Sequence, residues 1–157
     1  MPPPARLLLA GLCVACATRG PANEEQAIRR VLDDFHDAAS KADEERYFAL
    51  FLPEGVFLGT DATERWTVEE FRAYAHPHFS KGRGWTYAPR DRHIWISSNG
   101  RFASFDERLD NESYGELRGT GALVRTDKGW KILQYNLTFT VPNDVADDVV
   151  KRIRSGD

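Results

Sequence analysis

The feature that most constrains this chain is a change of period at Trp85. Before it, apolar residues recur at helical spacing; after it, alternating runs rich in aromatic and β-branched residues are separated by turn residues. In the first half, Ala27, Ile28, Val31, Leu32, Phe35, Ala38 and Ala39 form one buried helical stripe, with Asn23 as the predicted cap and His36 at the stripe's edge. Asp43 is the predicted cap of a second helix reaching Phe51, ended by Pro53, and residues 54–60 read as a short strand. Thr67-Val68-Glu69-Glu70 is a capping box that opens a third helix to about Phe79, with Pro77 in its last turn. In the second half, strands are predicted at 85–97, 101–110, 114–125 and 130–141, and Asn143 is placed to cap a closing helix.

Helices followed by a meander of strands make an α+β fold in which an antiparallel sheet packs on the helices. The last predicted strand carries apolar residues on both faces. Strict alternation puts Trp130, Ile132, Gln134 and Asn136 on one side and Leu133, Tyr135, Leu137 and Phe139 on the other. An antiparallel sheet usually keeps one face polar. The second apolar face therefore predicts a cover, and a homodimer through the outer sheet face supplies one.

Composition narrows the function. The chain has 157 residues, one domain's worth, and a net charge of −3, which leaves no basic surface for a nucleic-acid backbone. Arg6 precedes the apolar run Leu7-Leu8-Leu9-Ala10-Gly11-Leu12-Cys13-Val14-Ala15, which reads as an export signal over residues 1–15 and is too short to span a bilayer. Leu12-Cys13-Val14-Ala15-Cys16 resembles a bacterial lipobox, with Cys13 where leucine is usual; this implies lipidation of Cys16, with plain secretion as the alternative. The expected location is the periplasm or cell envelope, with the membrane reached only through that lipid. Residues 16–22 form a tether, 23–143 the folded domain, and 144–157 the closing helix and tail. Both cysteines lie in the segment ending at Cys16, so the domain has no thiolate nucleophile, disulfide or cysteine metal ligand.

Residues 23–143 resemble the SnoaL-like group of the nuclear transport factor 2-like superfamily. The resemblance rests on Ala42-Asp43, on Gly59-Thr60-Asp61 through Glu64-Arg65-Trp66, and on Phe105-Asp106-Glu107. It rests further on Gly115-Glu116-Leu117-Arg118-Gly119-Thr120-Gly121 and on Gly129-Trp130-Lys131-Ile132 with Gln134-Tyr135-Asn136-Leu137. It implies a cone-shaped curved sheet wrapped around N-terminal helices, the cystatin-like roll. It leaves activity open, because this fold carries isomerases, dehydratases, cyclases and binding modules.

The residues left for chemistry are few. No nucleophile elbow or phosphate-binding loop is present. His76-Pro77-His78 falls at a helix end rather than on a strand, so no metal and no cofactor is expected. Strand parity and the cone shape converge His36, Asp106, Arg118, Gln134 and Asn136 on one pocket, with Trp66 and Trp95 on its walls. His36 and Asp106 are the candidate proton movers, and Arg118 the candidate anchor for a carboxylate or enolate. Each has a structural alternative: His36 as a boundary residue, Asp106–Arg118 as a cross-strand ion pair, and the amides as partners of strand ends. Two functions follow: a small-molecule-binding module, and an acid–base enzyme of isomerase, dehydratase or cyclase type on a small, partly apolar substrate.

Overall fold

The computed structural model describes residues 20–156; the predicted leader, Cys16 and the first part of the tether lie outside the described residues. The first half forms α1 (Pro21–Ser40), α2 (Glu44–Ala49), β1 (Phe51–Leu58), β2 (Arg65–Thr67) and α3 (Val68–Phe79). The second half forms β3 (Ala88–Ile96), β4 (Phe102–Asn111), β5 (Gly115–Thr126), β6 (Gly129–Phe139) and α4 (Ala146–Ser155).

The helix signals hold with small corrections. α1 starts two residues before Asn23, because Pro21 is preorganised for a first turn and Gly20 takes the extended cap position without a side-chain bond. Asp43 caps α2 by accepting from the Arg46 N–H at 3.2 Å. Thr67 and Glu70 form the reciprocal capping box of α3, which tolerates Pro77 near its end. α4 begins at Ala146 without a side-chain cap, so Asn143 does not serve as one. Pro53 does not terminate a helix: it lies inside β1, in the stretch between Phe51 and Val56 where pairing with β6 slips, so no ladder bond is asked of it.

One six-stranded sheet runs in the order β2-β1-β6-β5-β4-β3 and curves around the helices without closing. The meander is antiparallel as expected, but β1 pairs with β6 in parallel, which makes the sheet mixed. Its concave side buries Ala103, Phe105, Leu109, Leu117, Leu123, Trp130, Ile132, Tyr135 and Leu137 against Ile28, Leu32, Phe35 and Ala39 of α1.

The parity of β6 is where the structure departs from the alternation argument. Ile132 pairs with Leu123 and Gln134 with Ala122, so Leu133 has no partner on β5 and forms a bulge. One extra residue flips everything beyond it. The inward set is Trp130, Ile132, Tyr135 and Leu137, while Gln134 and Asn136 turn to the convex side. The face assigned to Leu133, Tyr135, Leu137 and Phe139 as a dimer surface therefore does not exist as one surface. Tyr135 and Leu137 are core, Leu133 is half-buried, and Phe139 is exposed against Tyr114.

Candidate functional site

Between α1, α2, α3 and the concave face lies a cavity of about 270 Å³, walled largely by aromatic rings. The rings form a slot rather than a random lining. Phe57 lies 3.9 Å from Phe71 at 16°, and is nearly parallel to Trp66 at 15° and to Tyr135 at 5°. Trp66 in turn stacks on Tyr74 at 4.8 Å and 22°. The five rings arrive from four elements, β1, β2, α3 and β6, so the slot depends on the whole fold. Trp85, Tyr87 and Tyr114 complete the wall, and Thr60, Glu64 and His78 add polar groups. No arginine or lysine is among the lining residues.

His36 is on the cavity wall and is 7% exposed. Its Nε2 lies 2.7 Å from Oε1 of Glu107, which is fully buried on β4. The same oxygen accepts from the Tyr135 hydroxyl at 3.0 Å. The other oxygen, Oε2, accepts from Arg92 Nε at 2.6 Å. Arg92 continues the chain outward, donating from Nη1 to Asp33 Oδ1 at 2.7 Å and to the Arg29 carbonyl at 3.2 Å, both on α1. Burial pushes the Glu107 carboxyl up, but the hydrogen bond from His36 and the hydrogen bond and charge of Arg92 outweigh that and hold it below the ordinary carboxylate range. Burial and the neighbouring Glu107 charge push the Tyr135 phenol well above its usual range, so Tyr135 is a neutral donor. Burial likewise raises Tyr87 to about 12.

The proton positions follow from charge. An ionised Glu107 can only accept, so the proton on Nε2 belongs to His36. In the neutral ring this leaves Nδ1 as the acceptor, and among the described residues nothing bonds to it. A histidine on a cavity wall, oriented through one nitrogen by a buried carboxylate and open at the other, can bind a ligand hydroxyl or accept a proton from it.

Gly119 makes room for this cluster. A β-carbon there would collide with the Tyr135 hydroxyl and sit 3.1 Å from the Glu107 carboxylate.

The structure brings together two of the seven pocket residues proposed from sequence, His36 and Trp66. Asp106, Arg118, Gln134 and Asn136 do share one face, as parity required, but it is the convex one. Asp106 pairs with Thr120 in register and Thr120 with Asn136, and none of the four lines the cavity. Asp106 approaches His93 at 3.4 Å. Arg118 is exposed and opposite Arg108, with no ion pair among the described residues, so the cross-strand pair with Asp106 does not form. Trp95 is 60% exposed on the same convex face. The expected His76-Pro77-His78 helix end is observed, with His76 Nδ1 held by Glu44 at 2.7 Å. No group of potential metal ligands occurs among the described residues.

Glu107, Arg92 and Tyr135 are the residues that sequence reasoning missed. A signal for Glu107 existed: it occupies the parity of Ala103, Phe105 and Leu109, an acid on the apolar face of a strand.

A SnoaL-like domain model matches residues 28–142, and the chain belongs to that family. The solved structures it resembles include a candidate aromatic ring hydroxylase from Novosphingobium aromaticivorans, at 18% identity over 79% of this chain and 94% of that one, with a TM-score of 0.65. A candidate scytalone dehydratase from the same organism matches at 16% identity, 76% and 86% coverage and TM-score 0.65. A cystatin-like domain of unknown function from Nostoc punctiforme matches at 16% identity, 84% and 86% coverage and TM-score 0.69. No curated protein matches.

Because Glu107 titrates lower when folded than unfolded, the unfolded chain binds the extra proton. Stability from this group is present above the unfolded carboxyl pKa, near 4.3, and drains away as pH falls through the lower folded value. Thermal melts from pH 6 to 3 should therefore show a steep loss in the wild type and a flatter profile in Glu107→Gln. That variant should also be less stable at pH 7, by at most about 3–5 kcal/mol, because it removes Arg92's buried partner and leaves only the exposed Asp33 carboxylate beside it. Equal slopes in the two proteins would contradict the buried-carboxylate assignment.

Proposed function

We propose that the domain binds a small, flat, uncharged and largely apolar molecule in the aromatic slot. The observation that carries this is the set of near-parallel rings lining the same cavity as His36. At about 270 Å³ the cavity lies just under the roughly 300 Å³ at which ordinary ligand pockets begin, which suits a molecule of one or two rings. With no lining arginine or lysine, an anionic ligand would lose its hydration for nothing. The aromatic-ring chemistry in the name of one fold neighbour is consistent with a ring-shaped occupant.

Native mass spectrometry of freshly purified protein should show a small molecule travelling with it. Added 2-naphthol should quench the tryptophan emission, since Trp66 and Trp85 line the cavity. Protein that is empty and indifferent to the probe would overturn the reading.

A second reading is favoured by one observation, the oriented His36 with Nδ1 open: an acid–base enzyme in which His36 takes a proton next to a ligand carbonyl. Exchange of solvent deuterium into 2-tetralone should then be catalysed by the wild type and fall by about 10²–10⁴-fold in His36→Gln, with naphthol quenching retained. Exchange at the uncatalysed rate in both proteins would leave binding as the function.

The setting of this activity is also a proposal. Export with a lipid on Cys16 is supported by the segment from Arg6 to Cys16. Wild-type protein expressed in a bacterial host should partition into detergent and carry added acyl mass, and Cys16→Ser should do neither; identical behaviour refutes lipidation. A homodimer through the convex face now rests on Trp95 and Phe102, diagonal neighbours on β3 and β4 that are exposed beside half-buried Val124. Sedimentation at micromolar concentration should give two subunits for the wild type and one for Trp95→Asp, and a monomeric wild type removes the interface.

A further inference from the structure

Arg92 lines no part of the cavity, yet the local backbone is bent to deliver it to Glu107. On β3, Arg90 pairs with Arg108 and His93 with Asp106, both on the convex side, so Asp91 and Arg92 together oppose Glu107 and form a bulge. Asp91 takes φ +49°, the left-handed region that few residues other than glycine adopt. Regular alternation from Arg90 to His93 could not keep both residues on the convex side. The bulge keeps both there and turns Arg92 inward, where its side chain is 7% exposed.

The groups facing His36 define the charge balance. From α1 come Asp33 and Arg29, from β3 Arg92, from β4 Glu107 and from β6 Tyr135; Glu64 and His78 lie across the cavity. Arg29 is engaged by Glu25 at 2.8 Å, and Asp33 is largely exposed. Within the buried part, Arg92 is the one cation matching the one carboxylate. With it present, the buried Arg92–Glu107 pair is already neutral, and charge balance there asks for no charge from His36.

We propose that Arg92 is a positioning residue that acts through Glu107 to keep the His36 proton on Nε2 and Nδ1 free. Without Arg92, a buried carboxylate stands alone, and the cluster takes up one proton to restore neutrality. On His36 that proton gives an imidazolium with hydrogen on both nitrogens; on Oε2 of Glu107, the oxygen Arg92 would have left, it would leave Nε2–H bonded to Oε1 and Nδ1 open. Imidazole is the more basic of the two groups, so the proton goes to His36 and occupies Nδ1, the atom that the cavity's chemistry needs open. The inference rests on the proposed role of His36 in the cavity, but its readout does not require a ligand.

The test is a long-range proton–nitrogen correlation spectrum of the full-length protein, labelled with ¹⁵N, at pH 7. In the wild type the His36 ring should show a neutral pattern with hydrogen on Nε2 alone. Arg92→Met should show Nδ1 protonated, and Arg92→Lys, which keeps the charge, should restore the neutral pattern. Arg92→Gln retains an N–H donor for Glu107 but not the charge, and serves as the charge-free variant if Arg92→Met does not fold; it too should show Nδ1 protonated. A merely structural arginine would lower the melting temperature without moving the ring proton. A folded charge-free variant with hydrogen still on Nε2 alone would overturn the proposal, as would a wild type with hydrogen on Nδ1. Failure of naphthol binding with the spectrum as expected would instead count against the ligand reading and leave Arg92's role standing.

Discussion

A fully buried carboxylate is costly, and the arrangement around Glu107 is what makes it tolerable. Three donors from three elements reach its two oxygens: Arg92 on β3, Tyr135 on β6 and His36 on α1. Losing one of them would leave charge or hydrogen-bonding capacity stranded in a medium that cannot solvate it. The network therefore ties the first helix to the edge strand β3 and to the interior strands β4 and β6 by a condition stronger than apolar packing alone. It also explains local features that otherwise look arbitrary: the bulge and left-handed residue at Asp91, the missing side chain at Gly119, and the acid on the apolar face of β4.

Much of the architecture was legible because it depends on signals a few residues long. The capping box at Thr67, the Asp43 cap and the turn residues between strands act locally, and they hold in the folded chain. The cavity was legible only in part, because it depends on parity, and parity is a long-range property. A single unpaired residue, Leu133, reversed the facing of Gln134, Tyr135, Asn136 and Leu137. The same reversal took away two residues of the predicted dimer face and gave them to the core. For β4 the difficulty was another one. Asp106 and Glu107 are adjacent acids, and the family motif contains both, but only the apolar company of Ala103, Phe105 and Leu109 says which one points inward. His36 could be placed from sequence because helical periodicity locates a residue at a stripe's edge without reference to any partner strand.

The cavity's chemistry follows from keeping the charge behind the wall and the rings in front of it. Glu107 and Arg92 do not line the space a ligand would fill; His36 and Tyr135 do. Electrostatic control is thus transmitted through one imidazole, while the contact surface stays apolar and near-parallel. A site of this kind can favour a flat neutral molecule by area and ring stacking, and can address one polar atom on it. An arginine anchor inside the cone, as strict alternation suggested for Arg118, would have selected an anion instead. Its location on the convex side removes that preference.

The same reasoning bears on whether the site turns anything over. A histidine that only binds would be served by either tautomer, since each offers one donor and one acceptor. A histidine that removes a proton is served only by the one whose free nitrogen faces the reacting group and whose other nitrogen is held by an ionised acceptor, because the cation that forms must then be stabilised. Glu107 already carries the negative charge such a cation needs, and Arg92 is what keeps that charge from capturing the proton in advance. On the acid–base reading proposed above, the buried arginine, the left-handed Asp91 and the gap at Gly119 all serve one imidazole; on the binding reading they serve only to make the buried Glu107 carboxylate tolerable.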